Sequence, residues 1–122
     1  SISACIVLST NGFFPKKIEK VLSPRTDVIV AISLHGIAHI HDNFVQKRGA
    51  FEKAVESIRV ATGQGKSVQI YTTLTLDTAS DLGELCDFLS QMPISEHRLN
   101  LMKLRSDVNS GYQILHAARL FL

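Results

Sequence analysis

Apolar residues in this chain follow two alternating patterns. Four short runs are rich in valine, isoleucine and other strand-forming residues, and each is followed by a stretch in which apolar residues recur every three or four positions. The first pattern is typical of buried β-strands and the second of helices with one buried face. The predicted strands lie within residues 1–12, 27–34, 67–74 and 97–103. The chain is therefore predicted to consist of four βα units.

Proline, glycine and capping pairs delimit the four predicted helices. In chain order they are Pro15 and Pro24 for the first helix; Gly49 and Gly63 for the second; the pair Thr78 and Asp81 for the third; and the pair Ser110 and Gln113 for the fourth. The residues expected on the buried faces are Ile18, Val21 and Leu22; Phe51, Ala54, Val55, Ile58 and Thr62; Leu82, Leu85, Cys86 and Leu89; and Ile114, Leu115, Ala118 and Phe121.

The fold class predicted from this alternation is α/β with a parallel sheet and right-handed connections. In each strand, one of the two alternating phases carries polar residues near the carboxyl end: Ser9 and Asn11; Ser33 and His35; Gln69, Tyr71 and Thr73; Arg98 and Asn100. A barrel-like sheet with a polar mouth explains these phases better than a flat sheet that is covered on both sides. The alternative is that these are scattered hydroxyls bonded to the backbone.

Composition narrows the function classes. The chain has 122 residues, enough for one domain, and a net charge of +2, too small to indicate a nucleic-acid partner. No apolar stretch has the length of a membrane span, and no signal peptide is visible. Cys5 and Cys86 are expected to be core thiols, which favours a reducing compartment such as the cytoplasm.

Two local motifs were considered as evidence for a phosphate-binding loop and for a zinc site, and neither is convincing. The sequence from Gly63 to Ser67, GQGKS, lacks the first glycine of a phosphate-binding loop, since Val60 stands there, and it follows a helix and precedes a strand. His35, His39 and His41, with Asp42, raise the possibility of a zinc site. A loop of partly exposed histidines, with Asp42 capping a turn, is the favoured interpretation. No Cys-His nucleophile set is indicated.

Taken together, the ends of the predicted strands resemble motifs of the radical S-adenosylmethionine (radical SAM) enzyme family. The similar segments, in the family's order, are Ser9-Thr10-Asn11-Gly12; Ile32-Ser33-Leu34-His35-Gly36; His41-Asp42 with Gly49-Ala50-Phe51-Glu52; the strand VQIYTTLT at 68–75; and the helix pattern at 81–88. Each motif alone is weak, but the set covers nearly the whole chain in register.

The resemblance implies a partial (βα) barrel of six units, of which this chain would hold units three to six, truncated at its N-terminus. In that family three cysteines of a CxxxCxxC loop bind a [4Fe-4S] cluster, which with S-adenosylmethionine generates a 5′-deoxyadenosyl radical. Cys5 and Cys86 are 81 positions apart, so no such loop is present. The chain alone would be inactive, and the missing N-terminal barrel units would be its partners. The expected substrate is a small molecule or a peptide.

By the same resemblance, Ser33 matches the strand-end serine that binds the ribose of the cofactor. Ser9 and Asn11 would approach S-adenosylmethionine from the first strand, and Thr72 and Thr73 would line the same mouth. His35 and Asn100 are expected in the substrate cavity. Val45 stands where the family often has arginine, so a carboxylate clamp does not carry over.

Two alternatives remain open at this point. The first is a non-catalytic half-barrel that binds a nucleotide-like ligand in its polar mouth. The second is a metal-dependent hydrolase that uses the histidine cluster. A further expectation is that the first strand, within residues 2–8, has an unpaired edge that favours association between chains.

Overall fold

The computed structural model describes residues 6–24 and 27–101. The four strands are β1 (Ile6–Thr10), β2 (Val28–Ser33), β3 (Ser67–Leu74) and β4 (Glu96–Leu101). The helices are α1 (Pro15–Leu22), α2 (His39–Val45), α3 (Ala50–Gly63), α4 (Leu76–Ala79) and α5 (Leu82–Ser90). The described part of the chain is thus an α/β fold in which parallel strands alternate with helices.

The sheet is singly wound. All three strand pairs are parallel, and the strand order is β1-β2-β3-β4, the same as the chain order. Right-handed connections between sequential neighbours put the helices on one face of a sheet, because the direction of winding never reverses. Within the described residues the sheet is open, with β1 and β4 at its edges.

The hydrophobic core lies between the sheet and this helical layer. Val30, Ile32, Val68 and Ile70 are fully buried and belong to one cluster with residues of α1, α3 and α5. The residues that the helices contribute to this cluster are Ile18 and Leu22; Ala54, Ile58 and Ala61; Leu85 and Leu89. The alternation of strand side chains therefore sends the apolar phase of each strand toward the helices.

The other face of the sheet carries the polar phases as predicted. Strand register places Ser33 beside Tyr71 and Tyr71 beside Arg98, and it places Thr73 beside Asn100. Ser33, Tyr71 and Thr73 are half-buried, whereas Arg98 and Asn100 are exposed. The polar phases of β2, β3 and β4 thus share one face, which supports the singly wound arrangement.

Three local predictions are wrong, and each has a physical reason. Val21 is 47% exposed, because α1 buries only the narrow stripe of Pro15, Ile18 and Leu22. The capping box is made by Thr75 and Thr78 at the start of α4, and Asp81, at the N-cap of α5, makes no capping bond with its side chain. The predicted histidine loop is instead the helix α2.

The predicted helix after Ser110 lies outside the described residues, as does Cys5. Among the residues described, no helix is both long and apolar enough to cross a membrane.

Candidate functional site

A small cavity lies where β1 and β2 end and α2 and α3 begin. Its volume is about 90 Å³. The residues that line it come from both strand ends, from α2 and from the connection into α3: Asn11, Phe13, Ser33, His41, Val45, Lys47 and Ala50. The carboxyl ends of parallel strands are where α/β proteins bind ligands, so this is the candidate site.

The turn after β1 is held in place by short hydrogen bonds. The side chain of Thr10 accepts a bond from the amide of Gly12 at 3.0 Å, and Asn11 Oδ1 accepts one from the amide of Phe13 at 3.0 Å. The Ser57 hydroxyl of α3 donates to the carbonyl of Gly12 at 2.6 Å. Because Asn11 uses its side-chain oxygen in the turn, its NH₂ group is the part of the side chain that has a donor to offer at the cavity.

Gly12 is required at this position for two reasons. Its φ is +75°, a left-handed value that glycine adopts without strain. A Cβ atom there would lie 3.0 Å from the backbone Cα of Ala54 in α3. The close approach of the turn to α3 thus depends on the absence of a side chain.

Two buried histidines organise the end of β2. The backbone amide of His35 donates to Nδ1 of His41 at 2.9 Å, and the amide of Thr73 in β3 donates to Nδ1 of His35 at 2.9 Å. The two rings stack with their centroids 5.4 Å apart, and Phe44 packs against His35. Since both Nδ1 atoms accept, each neutral ring carries its proton on Nε2.

Burial keeps both rings neutral. Loss of water contact, together with the nearby His41, lowers the pKa of His35 from 6.5 to about 4. Desolvation also lowers the pKa of His41, against a smaller opposing effect of Asp42. His41 therefore presents a neutral N–H donor among the residues that line the cavity.

Asp42 fixes the start of α3. Its Oδ2 accepts from the amide of Gly49 at 2.9 Å, and its Oδ1 accepts from the amide of Phe51 at 2.8 Å. Gly49 is the N-cap residue of α3. The predicted capping role of Asp42 is thus confirmed, although the structure that it caps is a helix. Both carboxylate oxygens are used in this way.

Lys47 brings a positive charge to the cavity. Its Nζ lies 3.7 Å from the centroid of the Phe13 ring, a cation–π contact that holds the side chain over the turn after β1. Lys47 also precedes α3, so its position depends on the same connection that Asp42 organises. The cavity therefore combines one cation with amide, hydroxyl and imidazole donors.

The structure brings together two of the predicted cofactor residues, Asn11 and Ser33, at this cavity. Ser9 lies on β1, two residues before Asn11, where it is exposed and in register with Ala31. Thr73 lies at the end of β3, in register with the exposed Asn100, and its amide is bonded to His35.

Thr72 and His35 lie elsewhere. Thr72 points to the helical layer, is 1% exposed, and has its hydroxyl within 2.6 Å of the carbonyl of Leu34 and 2.7 Å of His97 Nε2. Neighbouring strand residues face opposite sides, so Thr72 and Thr73 do not share a mouth. His35 is 8% exposed and is bonded into the sheet.

Sequence reasoning missed Phe13, His41 and Lys47 as lining residues. His41 belongs to a segment that resembles a family motif, but the sequence does not predict which way its ring points. The contact between Lys47 and Phe13 joins residues 34 positions apart, and no local pattern predicts it.

The histidines do not form a metal site in the described part of the chain, where no group of three or more His, Cys, Asp or Glu side chains has suitable geometry. His39 is exposed on α2, whereas His35 and His41 use their Nδ1 atoms for backbone amides. These contacts leave the zinc interpretation without structural support.

In comparisons with known proteins, no family model matches the chain, and no curated protein sequence is significantly similar to it.

Proposed function

We propose that this chain forms part of the core of a radical SAM enzyme and contributes the ribose and adenine side of its S-adenosylmethionine site. One observation carries the proposal. Asn11 and Ser33 belong to two separate strand-end motifs that resemble the family, and both line the same cavity at the carboxyl ends of β1 and β2. Two matches that are independent in sequence thus converge at one place.

The chemistry of the cavity supports a ligand that is rich in oxygen atoms. Ser33 has a hydroxyl that makes no hydrogen bond within the described part of the chain, so it is able both to donate and to accept. Asn11 and His41 supply N–H donors, and Lys47 supplies a positive charge. Vicinal hydroxyls of a ribose need such short donors and acceptors on rigid strand ends.

The winding of the sheet is the second support. Parallel strands in sequential order, with the helices on one face and polar residues on the other, are the arrangement that a (βα) barrel requires. In such a barrel the polar face would form the lumen, with Ser33, Thr73 and Asn100 near its mouth. A partial barrel remains part of the proposal, because the described sheet is open.

The residues present fit only part of the cofactor set. A cavity of about 90 Å³ is smaller than the roughly 300–1,000 Å³ of ordinary small-molecule sites, so it would hold one edge of a nucleoside. The chain has two cysteines, whereas the family's [4Fe-4S] cluster needs three. The cluster does not fit this chain, and its ligands would have to come from elsewhere.

Because the chain has fewer cysteines than the cluster needs, a second candidate function is a half-barrel that binds a nucleotide-like ligand without redox chemistry. It would use the same cavity and the same residues. The two functions differ in whether S-adenosylmethionine is cleaved, which gives the experiment its second stage.

The first stage measures binding to the 122-residue chain. Adenosine and S-adenosylmethionine are titrated while backbone amide signals are recorded by NMR, and the expected shifts cluster at Asn11, Ser33 and Gly36. Ser33→Ala should weaken binding roughly two- to tenfold, the effect of one lost hydrogen bond. Ser23→Ala, at an exposed serine after α1, is the matched control. No shift at the strand ends, or equal affinity in both variants, would contradict the site.

The second stage tests cleavage. The gene product that contains this chain is reconstituted anaerobically with iron and sulfide, reduced, and assayed for 5′-deoxyadenosine. Formation of a cluster and of 5′-deoxyadenosine is the expected result. Binding of adenosine without any cluster would establish the binding module instead.

A further inference from the structure

A second group of reactive side chains lies on the helical face of the sheet, between α5 and β4. The half-buried thiol of Cys86 in α5 is 4.0 Å from Nδ1 of His97 in β4. Both residues line a cavity of about 330 Å³ that is separate from the strand-end site. A thiol, a neighbouring imidazole and space for a ligand therefore occur together.

Hydrogen bonding to Thr72 determines which nitrogen of His97 carries the proton. The Thr72 hydroxyl donates its single proton to the carbonyl of Leu34 at 2.6 Å, so it can only accept from His97 Nε2 at 2.7 Å. The ring proton is then on Nε2, and the Nδ1 lone pair faces Cys86. Burial lowers the pKa of His97, which keeps the ring neutral and Nδ1 unprotonated, although it also makes Nδ1 a weaker base than an exposed imidazole.

We propose that Cys86 is a covalent modification site for small disulfides, with His97 as its base and Thr72 as a positioning residue. The arrangement has the three parts of a base-assisted nucleophile: a thiol, an imidazole nitrogen 4.0 Å from its sulfur, and a third group that orients the imidazole. It is independent of the proposed function, because it uses another cavity on the helical face of the sheet.

The reaction is a thiol–disulfide exchange. The Cys86 proton moves to His97 Nδ1, and the thiolate attacks one sulfur of the disulfide. A bond between the Cys86 sulfur and that sulfur forms as the original S–S bond breaks. The leaving thiolate then takes the proton from His97. Cys86 is oxidised to a mixed disulfide, one half of the reagent is reduced to a thiol, and no other reactant is needed.

The surroundings of the thiol select the reagent. Leu89, Met92 and Ile94 make part of the cavity apolar, and Glu96 places a carboxylate at it. Burial and the adjacent Asp87 raise the pKa of the Cys86 thiol. Arg98 offsets Glu96 through an ion pair of 3.0 Å, which leaves Asp87 as the uncompensated charge among these groups. A small cationic disulfide should therefore react faster than an anionic one.

The base is needed because of these same surroundings. A thiol whose pKa is raised has little thiolate at neutral pH, and thiolate is the attacking species. A base that accepts the proton during attack removes that limitation. No sequence pattern indicates the pair, because Cys86 and His97 are eleven positions apart and lie in different elements, α5 and β4.

The test uses the 122-residue chain with Cys5→Ser, so that Cys86 is its remaining cysteine. Mixed-disulfide formation with cystamine, a small dication, is followed by mass spectrometry between pH 6 and pH 9. His97→Gln should slow the reaction roughly a hundredfold at pH 7, the low end of general-base effects, and should shift the pH profile of the rate to higher pH. Glutathione disulfide, an anion, should react more slowly than cystamine.

Variants of Thr72 separate positioning from folding. Thr72→Ser keeps the hydroxyl and should keep the rate, whereas Thr72→Val should approach the rate of His97→Gln, with both folds verified by NMR. Equal rates and pH profiles in the parent and His97→Gln proteins would overturn the proposal. So would a thiol that reacts only after unfolding in urea.

Discussion

The Nδ1 atom of His41 accepts a hydrogen bond from the backbone amide of His35, and the two imidazole rings stack beside the end of β2. This contact joins helix α2 to the strand that carries Ser33. It also requires an unprotonated Nδ1 on a buried ring, so the geometry of the strand end is tied to pH.

Acid should weaken the fold through His35. Its pKa is about 4 in the folded chain and 6.5 when unfolded, so the unfolded state binds the proton first as the pH falls. The contribution of neutral His35 to the free energy of unfolding is therefore complete above pH 6.5 and is lost between pH 6.5 and pH 4. The full pKa difference corresponds to about 3 kcal/mol. His41 and His97, whose pKa values are also lowered, act in the same direction.

The measurement is the free energy of urea unfolding at intervals between pH 7.5 and pH 4.5. His35→Asn keeps an acceptor for the amide of Thr73 and should flatten the pH dependence. The control is His39→Gln, which changes an exposed histidine of α2 and should leave the profile as it is. A parent profile that is flat over this range would refute the role of these buried rings.

Removing the Asp42 carboxylate should destabilise α3. Asp42→Ala leaves the amides of Gly49 and Phe51 without their acceptor, and the expected cost is about 1–2 kcal/mol. Asp42→Asn keeps one acceptor oxygen and should cost less. Chemical denaturation gives both values, with Glu56→Gln on the exposed face of α3 as the control. A cost for Asp42→Ala no larger than that of the control would show that the cap is not important.

Substitutions at Gly12 and Gly65 can be compared to measure the energetic effect of the close contact between the turn after β1 and α3. Both have φ near +75°, but a Cβ at Gly65 meets nothing within 4 Å, whereas one at Gly12 meets Ala54 at 3.0 Å. Each change to alanine should cost about 1–2 kcal/mol in backbone strain. Gly12→Ala should cost a further 1–3 kcal/mol, roughly, from overpacking. Equal unfolding free energies for the two variants would rule out a tight contact.

The exposed edge of β1 should promote association. Val7 is 51% exposed on a strand that, in the described part of the sheet, pairs only with β2. Concentration-dependent association is expected in analytical ultracentrifugation, and Val7→Lys should reduce it, because an edge lysine opposes strand pairing. Val21→Lys removes a similarly exposed valine from α1 and should have no such effect. A monomer at every concentration would contradict this prediction.

The parts of the fold that the sequence predicted are those that depend on local composition and periodicity. Strand β3 has the predicted bounds, and α3 begins one residue after Gly49, because long periodic segments leave little ambiguity. Helix α2 was missed because seven residues are too few for a periodic signal. The bonds that hold it are made by His41 with the amide of His35, six positions away, and by Asp42 with the amides of Gly49 and Phe51, seven and nine positions away.

The candidate site was predicted in part for the same reason. Asn11 and Ser33 were chosen by the family resemblance, and the strand phase predicted their face, since alternation fixes the face of each side chain. Thr72 was assigned to the mouth through the family resemblance, whereas the alternation with Tyr71 and Thr73 puts it on the other face, where it is 1% exposed. The position of Lys47 over Phe13 depends on how α2 turns back toward β1, which no property of either residue encodes.

The sheet has an apolar face under the helices and a polar face away from them. This division determines which amino-acid substitutions the chain can tolerate. Residues on the polar face, among them Ser9, Ser33 and Asn100, contribute little to the buried cluster that holds the helices to the strands. Under the proposed function, substitutions there would alter ligand preference at small cost in stability. Ligand binding and folding would then depend on different residues, which alternate along the same strands.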